Sequence, residues 1–142
     1  MLPYGQGGSH VEKQIRIILA EDNPGDVFLV RRALEKQGIA HELVVARNGE
    51  EALLLLNEAD LPQLILLDLN LPKLDGNQVL SHIRQTPAFD RTPVIVLTSS
   101  GSKKSRDLAL ALGANAFYQK PTDLASLMQL GREMERTLNE AA

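Results

Sequence analysis

The 142 residues contain no cysteine and no tryptophan. Without cysteine there can be no disulfide, no thiolate nucleophile and no cysteine-type zinc site, a pattern that fits a cytoplasmic protein. Aromatic residues make up only 4% of the chain, too few for a base-stacking surface. No basic block occurs and the net charge is −3, so the electrostatic footprint of a nucleic-acid binder is missing as well. No apolar run approaches the roughly 18 residues that a membrane helix needs. The opening MLPYGQGGSH lacks the basic-then-apolar order of a secretory signal, and residues 1–14 read as a flexible lead-in. His10, His41 and His82 fall in no metal-ligand spacing. Neither a P-loop sequence nor a G-x-G-x-x-G turn follows the first apolar run, so no nucleotide cradle is evident.

What the chain does contain is 44% hydrophobic and 23% charged residues, enough for one globular domain with a real core. Five short apolar runs alternate with amphipathic stretches: 15–20, 41–46, 64–68, 93–97 and 114–119. The third, Leu64-Ile65-Leu66-Leu67-Asp68, has no polar alternation and reads as a strand buried on both faces. Helix signals fall between the runs. Asn23-Pro24 with Asp26 opens the first helix and Gly38 stops it. Asn48 with Glu51, and Asp75 with Gln78, have capping-box spacing. A short helix is expected over 102–112, closed by Gly113, and Thr122 is the expected cap of the last helix. Five successive βα units imply a parallel, doubly wound sheet covered on both faces, since a closed barrel needs eight.

In such a sheet the carboxyl ends of all strands lie along one edge, which is where ligands bind. The runs end in Glu21-Asp22, Asp68, Thr98 and Lys120. Taken singly, each has a bland reading: helix-entry charge, a turn residue before Pro72, a strand-end cap, a solvated lysine. Together they form a chemical set. Three carboxylates in one cleft repel one another and need countercharge, which Lys120 and a divalent cation would balance. Oxygen donors with no histidine or cysteine suit Mg²⁺. A carboxylate nucleophile, a metal, a hydroxyl and an ammonium are also the parts that phosphoryl transfer requires.

With these residues in place, the sequence resembles a response-regulator receiver domain of two-component signalling, over about residues 15–138. The resemblance implies a flavodoxin-like fold, a five-stranded parallel sheet in the order 2-1-3-4-5 with five helices, occupying 15–142. It implies that Asp68 is the phosphoacceptor. Glu21 and Asp22 match the acidic pair that holds Mg²⁺ together with Asp68, and Asn70 matches the residue whose backbone carbonyl completes the metal site. Thr98 matches the switch hydroxyl, Lys120 its partner lysine, and Phe117 the switch aromatic. Lys120-Pro121 matches a bond commonly cis in the family. Glu21 replaces the more usual Asp, and Phe117 lacks the hydroxyl of the Tyr variant. Asn70 and Ser100 match positions that tune phosphoryl lifetime. Within the family, Glu-Asp-Asn-Pro-Gly-Asp is similar to the single-domain regulators that work with bacterial and cyanobacterial phytochromes.

The implied function is acceptance of a phosphoryl group by Asp68 from a phosphohistidine of a sensor histidine kinase, in a Mg²⁺-dependent reaction that the domain itself catalyses and slowly reverses by hydrolysis. It is a phosphoacceptor rather than a turnover enzyme. Too little chain follows residue 138 for a DNA-binding domain, so the expected output is a protein contact, including a homodimer through the fourth helix, fifth strand and last helix, where Leu108, Leu110, Leu112, Leu124, Leu127, Met128 and Met134 are numerous. Two rivals are weaker. A dehalogenase-type phosphatase also uses a strand-end Asp and Mg²⁺, but wants an acid where Asn70 stands. A receiver reduced to an interaction module would have no need of the full chemical set.

Overall fold

A computed structural model describes residues 14–58, 60–99 and 101–142. Apart from Gln14, the expected lead-in lies outside the described residues, as does Ser100. Five strands and five helices alternate: β1 (Ile15–Ala20), α1 (Pro24–Lys36), β2 (His41–Ala46), α2 (Gly49–Leu56), β3 (Leu64–Asp68), α3 (Gly76–Gln85), β4 (Val94–Thr98), α4 (Lys103–Ala111), β5 (Ala116–Gln119) and α5 (Leu124–Ala141). A single 3₁₀ turn, Pro87–Phe89, leads into β4. The sheet is parallel throughout in the order β2-β1-β3-β4-β5, the expected doubly wound arrangement.

Alternation along the central strands divides the core in two. Ile17, Leu19, Leu64, Leu66, Ile95 and Leu97 face α1 and α5, where they meet Val30, Leu34, Leu130 and Met134. Ile18, Ala20, Ile65, Leu67, Val94 and Val96 face the other way, onto Ala52, Leu80, Ile83 and Ala109 of α2, α3 and α4. Every residue of β3 and of β4 is buried, as unbroken apolar runs demand. At roughly 1.5–3 kcal/mol for each large apolar side chain buried, these two layers supply most of the drive to fold.

Local chemistry sets the helix starts. Asn23 accepts from the amides of Gly25 and Asp26 at the head of α1. Gly38 takes φ 73° just beyond that helix, a conformation most side chains resist. Asp75 and Gln78 form a reciprocal capping box on α3. On α2 the expected box is altered: Glu51 donates its amide to Asn48, but its carboxylate accepts from the amide of Arg47. The cap of α5 is Asp123 rather than Thr122, because Asp123 accepts from the amide of Ser126 while Ser126 Oγ accepts back from Asp123. β4 and β5 each begin later than the apolar pattern suggests, since Pro93 has no amide to pair and Asn115 turns its side chain to the Val94 amide.

At the amino-terminal edge of the sheet, Arg84 gathers the loops. Its guanidinium donates to the carbonyls of Phe89, Thr92 and Gly113 and to Asn115 Oδ1, all at 2.9 to 3.0 Å.

Candidate phosphoacceptor and metal site

Strand register builds the opposite edge. Ala20 pairs with Leu67, so Glu21 lies level with Asp68; Asp68 pairs with Leu97, so Thr98 stands one step further; Thr98 pairs with Gln119, which brings up Lys120. The ladder continues past β5, with the Lys120 amide donating to the Thr98 carbonyl at 2.9 Å. Residues far apart in sequence thus share one pocket, and three of them are nearly sealed: Glu21 is 3% exposed, Asp68 4% and Thr98 1%.

Lys120 is the centre of charge. Its Nζ lies 2.8 Å from Glu21 Oε1, 2.8 Å from Asp26 Oδ2 and 3.1 Å from Asp68 Oδ2. An ammonium has three donors, and three carboxylates take them. Asp68 Oδ1 accepts from the Asn70 amide at 3.1 Å, so both oxygens of the expected nucleophile are aimed. Glu21 Oε2 accepts from the Asn23 amide at 3.2 Å.

The electrostatics follow from burial. Removal from water pushes the Glu21 carboxyl up to about 7; the hydrogen bond from Lys120 works against this and the charge of Asp68 adds to it. Burial alone would lower the Lys120 ammonium, but its hydrogen bonds to Asp26, Glu21 and Asp68 outweigh that and hold its pKa above the usual lysine value. Glu21, exposed Asp22 and Asp68 each offer a carboxylate oxygen within 4.8 Å of the others. That donor set, all hard oxygens and rich in negative charge, fits Mg²⁺ or Mn²⁺.

Phe117 is half-buried against the α2–α3–α4 face. It pairs with Val96, so Phe117 and Thr98, two residues beyond Val96, share one side of the sheet. Tyr118 points the other way and donates to Glu133 of α5 at 2.7 Å. The Lys120-Pro121 bond is trans, as is every peptide among the described residues; trans is the lower form of a prolyl bond by about 0.5–1 kcal/mol, and Lys120 reaches all three acids from it. Sequence reasoning gave Asp26 only a helix-entry role. An acid one turn past the Glu21-Asp22 pair lies near the same edge, but only helix phase and side-chain reach bring it to Lys120.

The family model of the response regulator receiver domain matches residues 17–132. The chain belongs to the response-regulator receiver family. Response regulator Rcp1 of Synechocystis is 38% identical over 125 residues, which span 84% of this chain and 85% of Rcp1. The crystal structure of the phosphorylated cyanobacterial phytochrome response regulator RcpA has a TM-score of 0.81 at 36% identity, covering 92% of this receiver and 97% of RcpA. The Mn(2+)-bound form of Rcp1 has a TM-score of 0.76 at 37% identity, covering 85% and 91%. The receiver's three-carboxylate cluster is of the kind that holds a divalent cation, and no described helix is long and apolar enough to cross a membrane.

Proposed function

We propose that this receiver accepts a phosphoryl group on Asp68 from the phosphohistidine of a sensor histidine kinase and signals through altered protein contacts. The observation that carries the proposal is the pairing of buried Asp68 with the Lys120 ammonium, beside two further carboxylates on the same edge. An Asp68 oxygen bonds to phosphorus as the phosphorus–nitrogen bond breaks. The imidazole leaves with the electron pair and ends neutral, its proton balance met from water. Hydrolysis later returns phosphate and the free carboxylate.

Each side chain has a part. The Asn70 amide and Lys120 orient the carboxylate, and Lys120 offers a cation to the incoming oxygens. Glu21, Asp22, Asp68 and the Asn70 carbonyl would hold Mg²⁺, which when bound offsets the charge of the acids and of the phosphoryl oxygens. Thr98 and Phe117, on one side of the sheet, form the switch: the hydroxyl follows the new phosphoryl group and the ring turns inward behind it. The added charge of about −1.5 to −2 shifts an equilibrium between two conformers that already exist.

The likeness to RcpA, a cyanobacterial phytochrome response regulator, supports a phytochrome-type kinase as the donor. The working unit is 15–142, acting in the cytoplasm. Leu108, Leu110 and Leu124 are exposed and support a homodimer through α4, β5 and α5. Leu127 and Met134, expected to contribute, are buried in the core instead.

The test is labelling with radioactive acetyl phosphate in Mg²⁺. Base-labile label on the wild type, absent from Asp68→Asn and from protein in chelator, is expected. Equal label on Asp68→Asn sinks the assignment.

A further inference from the structure

Among the described residues, Asp26 is the one carboxylate on Lys120 that is neither the proposed phosphoacceptor nor part of the three-acid cluster. It enters from α1, whereas Glu21 and Asp68 enter from the ends of β1 and β3. Its oxygen is as close to Nζ as that of Glu21, 2.8 Å in each case, and closer than that of Asp68 at 3.1 Å. A contact of that length between opposite charges, with the lysine side chain 12% exposed and the aspartate 26%, is worth more than a surface pair.

The lysine needs such a hold. Its stem has four rotatable carbons and its head three interchangeable donors, so nothing in its own chemistry fixes where the charge sits. It also has somewhere else to go. Lys120 and Asp26 line a cavity of about 350 Å³ with Ser99, Thr122 and Ser126 among the other walls. An ammonium tied only to the two acids of the reaction pocket could swing into that space when either acid turned to another partner.

We infer that Asp26 is a positioning residue for phosphoryl transfer: it anchors the Lys120 ammonium from the α1 side, so that the third donor stays aimed at Asp68 and at the phosphoryl oxygen that arrives there. This rests on Asp68 being the phosphoacceptor. Asp26 touches neither donor nor phosphorus. Its effect runs through Lys120 alone, and that sets the test.

The initial rate of Asp68 labelling is measured at saturating acetyl phosphate and Mg²⁺ in four proteins, each first shown to be folded by circular dichroism: wild type, Asp26→Ala, Lys120→Ala and the double variant. Asp26→Ala is expected to lower the saturating rate about tenfold or more, the scale of losing one charged positioning contact, with little change in the donor concentration for half-maximal rate. Asp26→Glu, which restores a carboxylate on the same turn, is expected to recover part of the loss. In the Lys120→Ala background, removal of Asp26 is expected to change nothing further. A saturating rate within twofold of wild type for Asp26→Ala, or an equal loss in both backgrounds, overturns the inference. Undiminished label on Asp68→Asn overturns the phosphoacceptor reading, and the role of Asp26 with it.

Discussion

At the scale of single residues, the pocket is a problem of too much negative charge in too little water. Glu21 carries the largest share. Its pKa is near 7 in the folded protein and near 4.5 when exposed, so the native state keeps a proton that the unfolded chain releases. That contribution is complete below pH 4.5 and is lost as pH rises through 7. In chelator, Glu21→Gln removes the titrating group. The unfolding free energy of the wild type, followed by urea titration, should therefore fall relative to Glu21→Gln between pH 4.5 and 8, by an amount on the order of 1–3 kcal/mol. A parallel pH course for the two proteins would contradict it. Lys120 bears the opposite load. Lys120→Ala leaves Glu21, Asp26 and Asp68 without their shared cation, so metal-free stability should drop by about 3–5 kcal/mol. Mg²⁺ should return part of that, read as a larger rise in melting temperature for the variant than for the wild type.

At the scale of elements, the loop between β3 and α3 decides whether Asp68 faces its partners. Gly76, the first residue of α3, donates its amide to the Leu69 carbonyl at 3.1 Å. An added Cβ there would run into the Asp68 carbonyl oxygen and the Leu69 Cα. Both obstacles are backbone, so nothing flexible can yield. Gly76→Ala should cost about 1–3 kcal/mol by overpacking and should also slow Asp68 labelling, since relief must part the head of α3 from the end of β3. Normal labelling in a folded Gly76→Ala protein would show that α3 and the phosphoacceptor are uncoupled. Elements were the most legible feature of the sequence. The runs at 15–20 and 41–46 match β1 and β2 to the residue. Strand β1 is buried almost throughout, which leaves little latitude in composition, whereas β2, at the sheet edge and only partly buried, is bounded by the Gly38 turn before it and the Asn48 cap after it. The last helix was less legible at its start. Thr122 and Asp123 are both good caps; the Ser126 hydroxyl accepts from both backbone amides, and only the Ser126 amide, donating to the Asp123 carboxylate at 2.8 Å, decides between them.

At the scale of the whole molecule, the strand-end rule made most of the pocket legible. Glu21, Asp68, Thr98 and Lys120 could be placed on one edge from topology alone. Asp26 could not, because helix phase and side-chain reach decide its contact with Lys120, and an acid in a first helical turn already has a sufficient local reason to be there. The exposed leucines posed the same difficulty: Leu108, Leu110, Leu127 and Met134 are equally apolar in sequence, and only packing separates rim from core. The proposed dimer has a direct check. Sedimentation velocity with beryllium fluoride as a phosphoryl mimic should show a concentration-dependent dimer that Leu108→Glu abolishes. A monomer at all concentrations, with and without the mimic, would remove that output.

Arg84 stands at the other end of the sheet from all this chemistry. Its clasp joins the turn before β4 to the turn before β5, and Asn115 locks onto the first amide of β4 at 2.8 Å. Mechanically, β4 and β5 are two beams clamped at one end and loaded at the other. Their loaded tips are Thr98 and Lys120. A clamped beam moves least at its root, so on the proposed function a displacement at the acidic edge would be largest in the loops that follow each tip and smallest beside Arg84. The clasped root takes no part in the proposed reaction, yet on this reading it would set the stiffness against which the working edge moves.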